Sequence, residues 1–229
     1  LEAADHYGLD AWTAPVFGLP MVHEDSQAEW RHEAHLDPQR DAMVTTATVR
    51  TPAGELHQES VCYRGDQPAT TVKLVKDLAT DLAKFRYTQP MPKALDRPAL
   101  EAQREACHRR GHAYGVTVGY PGFQMWSVWV QGGVETLALA EMDRPALLEE
   151  WLEWDLARGT REMELALAAD LDYILFGGSG TITMASPALA TKYALPALTK
   201  WSAMARAVGL PTMLHSCGRN RVLADLLAA

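Results

Sequence analysis

Apolar residues change spacing several times along this chain, and each change marks an expected element. Residues 41–64 are the clearest β region. Val44-Thr45-Thr46-Ala47-Thr48-Val49-Arg50 is rich in β-branched residues, and Thr51-Pro52-Ala53-Gly54 reads as a turn. Residues 55–63 then read as the return strand of a hairpin. The spacing next becomes helical, with Leu74, Leu78, Leu82 and Phe85 on one face over 74–85. Gln89-Pro90-Met91-Pro92 is a linker. Asp96-Arg97-Pro98 predicts a helix to about residue 110, with Asp96 as N-cap and Pro98 in the first turn.

From there the pattern alternates. Val116-Thr117-Val118-Gly119-Tyr120 predicts a strand ended by Pro121-Gly122. Asp143-Arg144-Pro145 caps a long helix to about residue 168. Tyr173-Ile174-Leu175-Phe176 predicts a strand that runs into Gly177-Gly178-Ser179-Gly180. Ser186-Pro187 caps a helix to about residue 208, with a break near Pro196. Met213-Leu214-His215 is a third strand, and residues 221–229 the next helix. Strands alternating with helices, and apolar on both sides, predict parallel β/α units. The chain reads as a single domain, residues 1–229. A hairpin-containing part covers about 1–95, and the β/α units cover about 96–229. Pattern alone leaves a closed eight-fold barrel and an open doubly wound sheet both open. In either, the strand C-terminal ends carry the site. Residues 1–7 read as a helix closed by Gly8, and both termini read as cut inside helices, so a fragment of a longer protein is expected.

Composition narrows the classes. The 229 residues are 48% hydrophobic and carry a net charge of −8, with no Lys/Arg stripe. Nucleic acid and anionic membrane are therefore not expected partners. No apolar run approaches the roughly 18 residues of a membrane span, and no signal-peptide pattern opens the chain. Three cysteines, Cys62, Cys107 and Cys217, argue against a disulfide framework and for a reducing, cytoplasmic compartment.

The strongest candidate chemistry is Leu214-His215-Ser216-Cys217-Gly218. Residues i and i+2 of a strand share a face, so His215 and Cys217 could converge just past a strand end. Neutral imidazole and thiolate are both zinc ligands. A buried Cys beside a hydrogen-bonded His, or a thiolate activated by His, also fits the pair. Gly177, Gly178, Ser179 and Thr181 form a glycine-rich turn that could admit a ligand closely, or simply a tight β/α connection. Tyr120, Phe123 and Trp126 could wall a large flat ligand or form core under a loop. Cys62 and Cys107 read as small core residues. His108 with His112, and His32 with His35, read as surface pairs, and the carboxylates of 149–164 as a solvated helix face.

Several of these strings together resemble the uroporphyrinogen decarboxylase superfamily. They are Ser186-Pro187, Tyr193-Ala194-Leu195-Pro196, the run Gly209-Leu210-Pro211-Thr212-Met213-Leu214-His215-Ser216-Cys217-Gly218, and Thr51-Pro52-Ala53-Gly54-Glu55 in a hairpin followed by 72–82. The resemblance spans about residues 40–229. It implies a (β/α)8 TIM barrel, here truncated at both ends, with a cleft at the strand C-terminal face. In the cobamide-dependent methyltransferase branch, H-x-C and a remote Cys hold zinc. His215 and Cys217 match the first two ligands, and the third would lie beyond residue 229. The implied activity moves a methyl group between a corrinoid and a thiol or folate acceptor, with the corrinoid on a partner protein. The decarboxylase branch implies metal-free decarboxylation of a tetrapyrrole. A non-catalytic corrinoid- or partner-binding barrel is a third possibility. Many relatives have acidic residues where this chain has Gly177-Gly178-Ser179.

Overall fold

The computed structural model describes residues 2–10, 18–177, 186–216 and 221. In chain order the elements are α1 (Glu2–Tyr7), β1 (Met21–His23), β2 (Glu29–Asp37), β3 (Ala42–Thr51), β4 (Gly54–Tyr63), β5 (Ala69–Val72), α2 (Leu78–Phe85), β6 (Pro92–Leu95), α3 (Arg97–His108), β7 (Gly115–Val118), α4 (Phe123–Trp126), α5 (Val134–Asp143), α6 (Pro145–Leu167), β8 (Tyr173–Gly177), α7 (Pro187–Leu189), α8 (Leu195–Ala207) and β9 (Thr212–His215). They fall into two compact units. One comprises Leu1–His23, Met91–Met125 and Leu152–Ala229, and the other Glu24–Pro90 and Trp126–Trp151.

The first unit is built on a parallel sheet in the order β7-β8-β9, with a small antiparallel pair β1-β6. All five residues of β8 are buried. A parallel strand between two others needs cover on both faces, which explains its unbroken apolar run. Val116, Val118, Ile174 and Phe176 from the sheet share one core with Leu100 and Cys107 of α3, Met163 of α6 and Trp201 of α8. Helix starts follow local chemistry. Ala99 N–H donates to Asp96 Oδ1 at 3.2 Å with Pro98 in the first turn, and Leu189 N–H donates to Ser186 Oγ at 3.3 Å. The break expected near Pro196 is a π-helical turn over Ala190–Ala194, after which Leu195 N–H donates to Ala190 O. Proline lacks the N–H of a regular ladder, so the turn before it widens.

The second unit contains a four-stranded antiparallel sheet, order β2-β3-β4-β5. The expected hairpin is β3-β4, paired from Ala42↔Tyr63 to Thr51↔Gly54 without a slip. Its burial changes face midway. Val49 and its partner Leu56 are buried on one face, Val44 and its partner Val61 on the other. Helix α2 begins at Leu78, later than its apolar spacing suggests, because Asp77 caps it and accepts from Thr80 N–H at 3.1 Å. Leu74 and Val75 are instead extended and buried. Val75 bridges Val130, donating to Trp129 O at 3.0 Å and accepting from Gln131 N–H at 2.8 Å.

The eight-fold barrel implied by the resemblance is not what the chain forms. Among the described residues, β7, β8 and β9 are the only strands of a sheet that run parallel, apart from the isolated Val75–Val130 bridge, and the remaining strands lie in two separate antiparallel sheets. Local alternation fixes parallel neighbours, but closure also needs strand number, tilt and stagger to agree. Asp143 is also not the cap of the long helix: it ends α5, and α6 starts at Pro145. The helix expected over 221–229 lies outside the described residues, apart from Arg221.

Two tests follow from the first unit's packing. A Cβ built on Gly159 of α6 would stand 2.5 Å from the Trp201 ring, whose Nε1–H donates to Thr160 Oγ1 at 3.1 Å. Alanine gains about 1 kcal/mol of helix propensity over glycine, but overpacking costs about 1–3 kcal/mol. Gly159→Ala should therefore lower stability in urea unfolding despite the better helix former. Asp172 accepts from Tyr114 N–H at 2.6 Å and lies 2.9 Å from His108 Nε2. Partial burial pushes its carboxyl up, yet these hydrogen bonds outweigh burial and leave it below the ordinary carboxylate range. Its stabilisation is thus present above the unfolded pKa and lost as pH falls through the folded one. Because Asp172 is 44% exposed and water screens its charge, Asp172→Asn should cost about 1 kcal/mol or less near neutral pH, and its gap to wild type should close in acid.

Candidate functional site

The parallel register places Gly177, the last residue of β8, opposite His215, the last residue of β9. A Cβ on Gly177 would lie 2.8 Å from His215 Cβ, closer than real Cβ contacts allow. Glycine at 177 is what lets the imidazole-bearing residue sit there. His215 is half-buried. Strand C-terminal ends are where ligands bind in open α/β sheets. Cys217, Gly178, Ser179 and Thr181 lie outside the described residues. Among the described residues, no three His, Cys, Asp or Glu side chains come together as a metal site.

The three aromatic candidates are packed inside. Tyr120 is 2% exposed, Phe123 1% and Trp126 1%. Tyr120 belongs to the first unit's core, and the Phe123 ring lies 5.5 Å from that of Tyr193. Trp126 belongs to the second unit, where it stacks on Trp151 at 4.7 Å and 14°. Phe85 packs against Trp129 and Trp151 in the same unit. Cys107 is fully buried in α3, as its core reading expects, while Cys62 on β4 is half-buried; both are free thiols.

The His108/His112 pair finds acidic partners distant in sequence. His108 meets Asp172, and His112 Nε2 lies 2.8 Å from Asp5 Oδ1, which itself belongs with Arg110 through Asp5 Oδ2 at 2.9 Å. His112 is buried, which corrects its reading as a surface residue. His32 and His35 are exposed on β2. The 149–164 carboxylates are not uniformly solvated either. Glu162 is only 14% exposed, 3.7 Å from Arg158, which is 20% exposed. Burial pushes the Glu162 carboxyl up, Arg158 opposes that, and Asp155 adds to it. Burial and Arg158 together hold the His23 imidazole below its ordinary value. Arg158 Nε is sealed from solvent without a hydrogen-bond partner among the described residues. The i, i+3, i+7 spacing of Asp155, Arg158 and Glu162 was the available signal for this group.

The second unit carries a different feature. A polar groove of about 500 Å³ lies on the β2-β3-β4 sheet, lined by Glu29, Arg31, Glu33, Thr48, Arg50 and His57 among others. Its charges compensate one another: Arg31 Nη2 is 2.7 Å from Glu33 Oε1, and Arg50 Nε is 3.3 Å from Glu55 Oε2. These pairs are exposed and contribute little to stability. The groove lining holds no thiol or serine nucleophile.

The Gly177–His215 contact is directly testable. Gly177→Ala forces the strands apart or turns His215 away, because the clashing atom is a Cβ rather than a flexible tip. It should destabilise the chain by about 1–3 kcal/mol in urea unfolding and shift the His215 imidazole resonances in NMR. No protein-family model, no curated protein and no solved structure matches this chain.

Proposed function

We propose that the chain acts as a zinc-dependent methyltransferase that moves a methyl group between a corrinoid and a thiol or folate acceptor. One observation carries this reading: His215 ends β9 directly opposite the side-chain-free Gly177, with Cys217 two residues further along the sequence. A half-buried imidazole at a strand end suits a metal ligand, and an imidazole–thiolate donor pair suits zinc. His215 would bind through one neutral ring nitrogen and Cys217 through its thiolate. On the resemblance, a third donor, a cysteine, would lie beyond residue 229. When bound, zinc would supply Lewis acidity that favours the thiolate form of a thiol acceptor. The backbone of β9 would fix His215, and Gly177 would let it sit close against β8. The corrinoid is here a substrate, delivered on a partner protein. No helix among the described residues is long and apolar enough to cross a membrane.

The test is metal content. The intact, fully reduced protein should hold about one zinc per chain by mass spectrometry, and Cys217→Ala should lose it while keeping its circular dichroism spectrum. Folded wild type without zinc would overturn the reading. Chelator-insensitive release of CO2 from uroporphyrinogen would then replace it with metal-free decarboxylation. Corrinoid binding without transfer to any acceptor would leave a binding protein.

A further inference from the structure

The two edges of the four-stranded sheet are treated differently. At the β5 edge the strand has four residues, Pro68 precedes it, and the ladder slips between Glu59 and Ser60. Short strands, prolines, bulges and charged side chains are how proteins blunt an edge. The β2 edge has none of the first three, and its charges, Glu29, Arg31, Glu33 and Asp37, are of mixed sign. It runs nine residues, Glu29–Asp37, with no Pro or Gly and with unbroken register to β3. Eight of its nine residues are exposed. Among the described residues, no hydrogen bond covers the outward backbone groups of this strand. Such a row is a template for another strand.

We propose that β2 pairs with β2 of a second copy of this chain, antiparallel, about a two-fold axis at His32. Charge and size favour this pairing. With His32 on the axis, Arg31 faces Glu33 of the second copy, Glu29 faces its His35, and Trp30 faces its Ala34. Symmetry makes each pair occur twice. Opposite charges directly across an antiparallel pair stabilise it, and a small residue opposite Trp30 leaves room for the ring. Trp30 already stacks on His32 at 5.6 Å within one chain. Moving the axis to Glu33 sets Glu33 against Glu33 and Glu29 against Asp37. Moving it to Arg31 sets Arg31 against Arg31. An axis between residues brings the charged face of one copy onto the Trp30, Ala34 and Leu36 face of the other. Of the axes at Arg31, His32 and Glu33, only that at His32 sets opposite charges across the seam. Arg31 and Glu33 are 78% and 62% exposed in the single chain, so both are free to exchange partners. The polar groove of each copy would then continue into that of the other.

Sedimentation equilibrium on the full chain tests this. The mass should rise with concentration from 25.2 kDa towards twice that value. Arg31→Glu puts like charges across both symmetric pairs and should weaken association about tenfold or more. Adding Glu33→Arg to it restores complementarity and should return affinity to within about threefold of wild type. Both positions are solvent-exposed, so neither variant threatens folding. The register has its own readout: His32→Cys should give an oxidised dimer absent from wild type, since residues directly across lie about 4.5–5.5 Å apart at Cα, whereas Trp30→Cys should not. A monomer at every concentration, a dimer indifferent to Arg31→Glu, or cross-linking at residue 30 instead of 32 would each overturn the proposal.

Discussion

The first unit depends on one strand that has no solvent-facing side. β8 is buried along its whole length and holds β7 and β9 in parallel register. At each end the ladder brings a ring-bearing residue against a neighbour that must have no side chain. Gly115 of β7 faces the Tyr173 ring at the start, and Gly177 faces His215 at the finish. Any larger residue at either place would enter the space of its partner. The glycines therefore set how closely the three strands approach, and the position of His215 follows from that spacing.

The second unit solves a different problem. A ten-residue antiparallel hairpin exposes two faces, and this one buries a different face in each half. Side chains alternate strictly while pairing runs without a slip, so buried positions must shift parity: Ala42 and Val44, then Ala47 and Val49. The cost is that each half leaves its other face in water. One exposed half-face becomes the mixed-charge groove with Arg31, Arg50 and Glu55, and the opposite one carries exposed Leu36 and Met43. A sheet covered over one whole face would not leave polar and apolar exposed patches on opposite sides of the same strands.

What could be read from the chain was local. The β3-β4 hairpin, the Asp96 and Ser186 caps, the break before Pro196 and the three parallel strands each follow from a short string of residues. β2 escaped because its even positions, Trp30, His32, Ala34 and Leu36, are separated by charges, and an edge strand in water needs no apolar stripe. The Asp5–His112 and His108–Asp172 contacts join residues more than sixty positions apart, which no spacing rule reaches. The barrel failed for the same reason: parallel neighbours are local, whereas closure belongs to the whole sheet. At the candidate site, the placement of His215 at a strand end was legible. Its dependence on Gly177 was not, because that is a cross-strand contact.

The two ends of the parallel sheet differ in chemistry, and this asymmetry directs attention to His215. Around the strand starts, charge is matched and hydrogen-bonded. Asp172 joins the β7 entrance to the end of α3 through Tyr114 N–H and His108, Arg104 meets Asp170, and Asp5 holds Arg110 and His112. Each contact ties one segment to another, which is the work of stability. Around the strand finishes, the described residues include Gly119, Tyr120, Gly177, His215 and Ser216. Among the described residues, the ion pairs around this sheet cluster at the strand starts, and half-buried His215 stands at the finishes. Parallel strands favour that arrangement because the crevice outside their carboxyl ends faces the connecting loops, where side chains can change without disturbing the ladder.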